Sequence, residues 1–358
     1  LWEKTYGDAG NDDFHSVFQD ADGNLILAGF TGSYGSGNID GWLVRMDLDG
    51  NILNEKAIGG SNIDNFWKVI RTSHNRYLIS GKTSSSGSGA SDHYLVCTDL
   101  SFNVLWSKTY GTAGSENVAK IIELTDTTYL MTGLTSVGPS SWDTDYIRVD
   151  SNGVLISAKY FDVGQSNEAE TRQISDTTLM VIGGATWTDN ASFSIYNFET
   201  QDVIQSTELD YGVQSYFAGS EMVNDSVFYT VGRRVGSDKD MVVVKGSTNL
   251  DTLETFAIST SGSVISNDVI VLNGDLYLFG HSDSSEIAGT YNFFMYKYVI
   301  GGNNCLRTST SPSIITTNPV VSGLSGSEGI GIASEVIGVS SITTRNGYRN
   351  TGCFSDPA

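Results

Sequence analysis

Asp22-Gly23-Asn24-Leu25-Ile26-Leu27-Ala28-Gly29 reads as a tight turn, a short apolar strand and a closing glycine. An Asp-Gly pair supplies the backbone conformation that a two-residue hairpin needs. The glycine-ended run then recurs. It stands at Tyr77-Leu78-Ile79-Ser80-Gly81, Tyr129-Leu130-Met131-Thr132-Gly133 and Met180-Val181-Ile182-Gly183-Gly184, and again at Phe228-Tyr229-Thr230-Val231-Gly232 and Leu276-Tyr277-Leu278-Phe279-Gly280. Successive closing glycines lie 52, 52, 51, 48 and 48 residues apart. Six units with a period near 50 match one four-stranded propeller blade per unit.

Working outward from the first glycine gives the rest of a blade. Phe14 to Gln19 forms a strand before the Asp22-Gly23 turn, and a Gly/Ser-rich loop, Gly32 to Asn38, follows the glycine-ended strand. Trp42 to Met46 is the third strand, Asp49-Gly50 the next turn, and Ile52 to Ile58 the fourth strand. No stretch shows a capped helical period. The expected fold is therefore all-β: a six-bladed propeller over residues 1–300, followed by a C-terminal extension over 301–358. The last unit supplies three strands (Asp268 to Leu272, Leu276 to Gly280, Phe293 to Tyr298) and lacks a fourth. Residues 1–7 read as a lone fourth-type strand, nearly matching Leu105 to Gly111. They are expected to complete the last blade and close the ring, which would remove open sheet edges.

The repeats Trp2-Glu3-Lys4-Thr5-Tyr6-Gly7, Asn11-Asp12-Asp13-Phe14, Asp22 to Gly29 and Asp40-Gly41-Trp42-Leu43 resemble a propeller repeat of secreted bacterial and protist proteins. The resemblance covers about residues 1–300 and is sharpest over 1–160; Thr207-Glu208-Leu209-Asp210 replaces the Lys-Thr-Tyr-Gly ending later on. It implies a propeller located outside the cell. It implies no reaction.

Charge narrows the function. The net charge is −21, from 20 Lys and Arg against 41 Asp and Glu. Nucleic acid is excluded as a partner, since phosphate binding needs clustered cations. No run of about 18 apolar residues spans a bilayer. The chain opens at Leu1 and is expected to be a processed chain or a fragment. Of the three cysteines, Cys97 sits in an apolar run, while Cys305 and Cys353 frame the extension, either as separate thiols or as a disulfide bracketing it. Asn190 and Asn224 begin glycosylation sequons.

The extension differs in composition. Three of the four prolines lie in it, Lys is absent, and Arg307, Arg345 and Arg349 balance Glu328, Glu335 and Asp356. Its β-branched runs hold Ile314, Ile315, Val320, Val321, Val336, Ile337 and Val339. Three readings stay open: a segment packed along its own propeller, a linker to another domain, or an assembly element adding strands to a neighbouring subunit.

Candidate chemistry is sparse. Asp40, Asp92, Asp145 and Asp240 each precede a third strand. They read either as a carboxylate ring contacting a glycan, a partner or Ca²⁺, or as turn residues binding backbone N–H groups. The second reading fits better, because Ala191 or Ser192 and Asn292 replace the acid in two units. Asp20 to Asn24 and Asp47 to Asn51 open like Ca²⁺ loops but lack the later acid, and are read as hairpin turns. Trp142 and Trp187 lie in loops of adjacent units, where a ring face suits a sugar. Of the four histidines, His15 and His93 lie on strands, and His281 follows the last glycine-ended strand. No metal or cofactor motif and no nucleophile elbow is present. The expectation is an extracellular, non-enzymatic structural or interaction protein. Its partner would be a second copy, as in a filament, surface layer or adhesin, or else another surface protein or a glycan. The alternative is a propeller that binds or cleaves carbohydrate.

Overall fold

The computed structural model describes every residue except 1–2, 139–140, 163–165, 186–190, 212–214, 235–240, 251–252, 259–263, 283–291, 301–306, 310–312, 318–319, 324–326, 331–333, 337–340 and 346–358. Among the described residues every regular element is a β-strand. The chain divides into two compact units, Leu1–Phe161 with Ser322–Arg349, and Asp162–Val321 with Asn350–Ala358.

The first unit opens with β1 (Glu3–Gly7). Its first sheet holds β2 (Asp12–Gln19), β3 (Leu25–Thr31), β4 (Asp40–Met46) and β5 (Ile52–Gly59), each antiparallel to the next. The second holds β6 (Asp64–Arg71), β7 (Tyr77–Thr83), β8 (Asp92–Thr98) and β9 (Val104–Gly111). The third holds β10 (Glu116–Glu123), β11 (Tyr129–Gly138), β12 (Ser141–Val149) and β13 (Leu155–Asp162). In the second unit, β14 (Ser166–Gln173), β15 (Thr178–Ala185), β16 (Ala191–Asn197) and β17 (Asp202–Asp210) form one sheet. A further sheet holds β18 (Ser215–Asn224), β19 (Val227–Arg234), β20 (Met241–Ser247) and β21 (Leu253–Ile258). The last contains β22 (Val264–Leu272), β23 (Asp275–Ser282) and β24 (Asn292–Tyr298). Six up-and-down sheets in chain order, one per sequence repeat, make the fold a six-bladed β-propeller.

The extension adds β25 (Arg307–Ser309), β26 (Ser313–Thr317), β27 (Val320–Gly323), β28 (Ser327–Ile330), β29 (Ser334–Val336) and β30 (Ser341–Arg345). The first five stand beside the fourth strand of a sheet, in reverse order along the chain. β25 joins β21, β26 joins β17, β27 follows β13, β28 joins β9 and β29 joins β5. The end strand β30 pairs with β1, from Glu3↔Arg345 to Gly7↔Ser341. The described strands of the extension thus pair with strands of the same chain. The pairing expected between residues 1–7 and the last blade is not among the described strand pairings, since β1 bonds to β30 and β24 ends a three-stranded sheet.

Period two explains the packing. Successive side chains on a strand face opposite ways, and in β7 and β8 both ways lead to another sheet. Tyr77, Ile79, Tyr94 and Val96 pack with Ile26, Ala28, Leu43 and Ile58 of the first sheet. Leu78, Leu95 and Cys97 turn to Tyr129, Met131, Ile147 and Val149 of the third. The second unit repeats this. Phe193 and Leu209 meet Phe217, Phe228 and Val242, while Val243 and Phe256 meet Leu276 and Leu278. Middle strands buried on both faces therefore read as unbroken apolar runs.

The closing glycine has a structural cause. The first strand of each sheet carries a bulge, with register shifts between Phe14 and Ser16 and between Phe66 and Lys68. There its backbone presses onto the neighbouring strand. A Cβ on Gly29 would lie 1.9 Å from the Asp13 carbonyl oxygen, and one on Gly81 1.9 Å from that of Asn65. Both obstacles are backbone and cannot swing away. Gly81→Ala is accordingly expected to lower stability by about 1–3 kcal/mol, the range for an overpacked interior. Urea denaturation followed by tryptophan fluorescence measures it, and an unshifted midpoint would show that the bulge yields.

Candidate functional site

A second set of glycines organises the polar interior of the first unit. Gly7, Gly59 and Gly111 end β1, β5 and β9 at intervals of 52 residues. Each is followed five residues later by an acid that opens the next strand: Asp12, Asp64 and Glu116. The third strands begin with acids too, Asp40 in β4 and Asp92 in β8. The two kinds of acid close on one glycine. A Cβ on Gly59 would lie 2.2 Å from Asp40 Oδ1 and 2.7 Å from Asp64 Oδ2. On Gly111 it would lie 2.1 Å from Asp92 Oδ1 and 2.5 Å from Glu116 Oε2.

These carboxylates cap loop backbone. Asp40 Oδ2 accepts the Gly37 N–H at 2.9 Å. Asp92 accepts Ser88 and Gly89 N–H, each at 3.1 Å. Asp64 Oδ2 accepts the Gly60 N–H and the Ser85 hydroxyl, both at 2.7 Å. Asp12 accepts the Thr31 hydroxyl at 2.5 Å and the Ser33 hydroxyl at 2.7 Å. Glu116 Oε1 accepts the Thr112 hydroxyl at 2.8 Å and that of Thr135 at 2.9 Å. Beside these groups Ile39 bridges to Ile63 and Ser91 to Ser115, so successive sheets are joined here backbone to backbone.

His93 neutralises part of this buried charge. Its Nε2 lies 2.7 Å from Asp145 Oδ2, and both side chains are fully buried. Burial pulls the imidazole pKa down, but Asp145, Glu116 and Asp92 outweigh it and hold His93 above its ordinary value. Burial pushes Asp40 up, aided by the Asp64 charge and opposed by the Gly37 N–H. Burial also pushes Glu116 up, against its Thr112 hydrogen bond and the His93 charge. The Cys97 thiol, buried, is pushed up to about 11.

Of the two readings of Asp40, Asp92 and Asp145, contact with a glycan or partner does not fit their burial. Their relative exposures are 1%, 1% and 0%; they face inward, onto loop N–H groups and His93. Asp240, Trp187, Asn190, Cys305, Cys353, Ile337 and Val339 lie outside the described residues. Trp142 is half-buried on β12. Asn224 is exposed at the β18–β19 turn, its Oδ1 accepting the Ser226 and Val227 N–H groups at 2.9 and 3.0 Å. Ile314 and Ile315 fall on β26 opposite Leu209 and Glu208, Val320 and Val321 on β27, and Val336 on β29 opposite Ala57. Asp20 and Asp47 serve hairpins: the Gly23 and Gly50 N–H groups bond to their carbonyls at 2.9 and 3.0 Å. Asp20 additionally ties Arg71 and Tyr77, and Arg45 donates to Tyr77 at 2.7 Å. His15 stacks on Trp67 at 4.0 Å between ring centroids. No three His, Cys, Asp or Glu side chains converge to hold a metal among the described residues. No helix there is long and apolar enough to cross a membrane.

Asp12, Asp64 and Glu116 are missing from the sequence-derived candidates. Their 52-residue interval, five positions after a strand-ending glycine, was the available signal.

The fold and these sheet joints define a β-propeller whose repeated acids bind loops. No family model and no curated protein matches the chain. Among solved structures, a protein of unknown function from Dyadobacter fermentans is 11% identical, with TM-score 0.54 over 83% of this chain and 98% of that one. That likeness concerns the fold alone. An ulvan lyase of a new polysaccharide lyase family is 10% identical, with TM-score 0.45 over 85% and 86% of the two chains. A neuraminidase-like protein (flat-faced bat, Peru) is 10% identical, with TM-score 0.43 over 79% and 85%.

The buried pair sets a pH dependence. A histidine whose folded pKa is raised stabilises fully below its unfolded value, about 6.5, and the contribution is lost as pH rises through the folded value. The melting temperature is expected to fall over the window that opens above about pH 6.5. His93→Gln should flatten that slope. Asp145→Asn should cost about 3–5 kcal/mol, as removal of one partner of a buried pair does. Differential scanning calorimetry across the pH range checks both, and a melting temperature that rises over the window would contradict the assignment.

Proposed function

We propose that this chain is a non-catalytic structural or interaction module of the secreted propeller-repeat type, acting outside the cell and joining its partner by β-strand pairing. The observation that carries the reading is the extension, whose short strands pair in reverse order with the outer strands of successive sheets. A segment that binds sheet edges through backbone hydrogen bonds needs little side-chain specificity to bind such edges elsewhere. The neutral composition of residues 301–358, beside a remainder carrying the whole net charge of −21, agrees with it. So does the use of Asp40, Asp64, Asp92 and Glu116 as loop caps rather than as groups open to a substrate. The alternative, a module that binds or cleaves carbohydrate, has less behind it, because Asp40, Asp92 and Asp145 are closed off from solvent.

Sedimentation velocity and negative-stain electron microscopy of the full chain beside residues 1–300 test the reading. The full chain should form ordered, concentration-dependent assemblies. The shortened chain should lose that order, with its bared edges giving at most irregular aggregates. A full chain that stays monomeric at every concentration, and melts higher with one glycan from an array, would instead favour the carbohydrate reading.

A further inference from the structure

We propose that the C-terminal extension exchanges between copies, its strands taking in a second molecule the registers they hold in their own. The inference rests on the structural-module reading and names its partner as a second copy of this chain and its contact as the outer edges of β1, β5 and β9.

β30 pairs with all five residues of β1, but the extension covers only part of the β5 and β9 edges. β28 reaches Lys108–Gly111 of the eight-residue β9, from Ile330↔Lys108 to Ser327↔Gly111. β29 reaches Ala57–Gly59 of the eight-residue β5. The remaining halves carry a repeated apolar residue. Leu53, Leu105 and Ile156 sit at the same place at the start of β5, β9 and β13, 52 and 51 residues apart, and each is about half exposed. One apolar side chain on a surface is ordinary, but a row with the repeat's own period, continuous with edges already used for pairing, marks a contact surface.

Charge selects the occupant. Two copies at −21 repel one another. Residues 301–358 carry three Arg and three acids and no Lys, so they approach an acidic edge without that penalty. The attachment is also divisible. Each extension strand has three to five residues, too few to hold alone, and the strands act by summing weak contacts. Backbone ladders do not distinguish a strand of the same molecule from an identical one of its neighbour. Exchange therefore loses no pairing, as in domain swapping, while the second molecule can cover the apolar row.

The test uses register. Thr5 and Thr343 are opposite in the β1–β30 pair, and Thr5 is exposed. The full chain bearing Thr5→Cys and Thr343→Cys, with Cys305→Ser and Cys353→Ser, is oxidised mildly over a hundred-fold concentration range. It is run on non-reducing gels, alongside a second pair, Lys108→Cys with Ile330→Cys, in the same background. Isotope-heavy and light copies are mixed before oxidation, and the cross-linked peptides are read by mass spectrometry. Exchange gives dimers and longer ladders that grow with concentration and join heavy to light peptides. Cross-links confined to single molecules at every concentration overturn it, as does the absence of any cross-link at both pairs. If single-molecule cross-links appear in a chain that still forms ordered assemblies under the microscope, exchange fails while the structural-module reading stands.

Discussion

The rest of the structure depends on a backbone contact that only glycine permits. Where the first strand of a sheet bulges, its carbonyl oxygen occupies the space that a Cβ on Gly29 or Gly81 would need. The bulge shifts the register by one residue and increases the local twist. Twisted sheets stack face on face, so both sides of the middle strands become interior. That is why Tyr77 and Leu78, neighbours in sequence, belong to different hydrophobic clusters. A side chain at the glycine would push the strands apart and disturb two interfaces together.

A second close approach fastens consecutive sheets in the first unit. Carboxylates from the third strand of one sheet and the first strand of the next flank the glycine that ends the connecting strand. Burying like charges is costly unless each finds hydrogen bonds or a counter-ion. Loop N–H groups, Ser85, Thr112 and Thr135 supply the bonds, and His93 with Asp145 supplies an internal ion pair. The consequence is acidity held inside the molecule by structure, at positions that a reading of the repeat alone places equally well on the surface.

Legibility follows from range. The six-fold period, the hairpins at Asp22-Gly23 and Asp49-Gly50 and the double-sided strands were readable because turn chemistry and alternation act over a few residues. Asp40 and Asp92 were readable as turn residues for the same reason. Asp64 and Glu116 bind Gly60 and Thr112 four residues away, but their other partners, Ser85 and Thr135, lie about 20 residues away and across a strand pair, beyond local reading. The course of the extension was equally hidden. A β-branched, neutral segment is compatible with any free edge, so nothing local says that β28 lies on β9 or β29 on β5.

The sequence by itself determined the number of repeats, their strand order and the all-β class, because glycine, Asp-Gly turns and period-two apolar runs constrain the backbone locally. Only the tertiary structure decided which acids share a glycine, that His93 meets Asp145, and that β30 takes up β1. Those pairings join residues about 25 to more than 300 positions apart. Their energy comes from hydrogen bonds, an ion pair and edge pairing between distant segments, which no single stretch of chain contains.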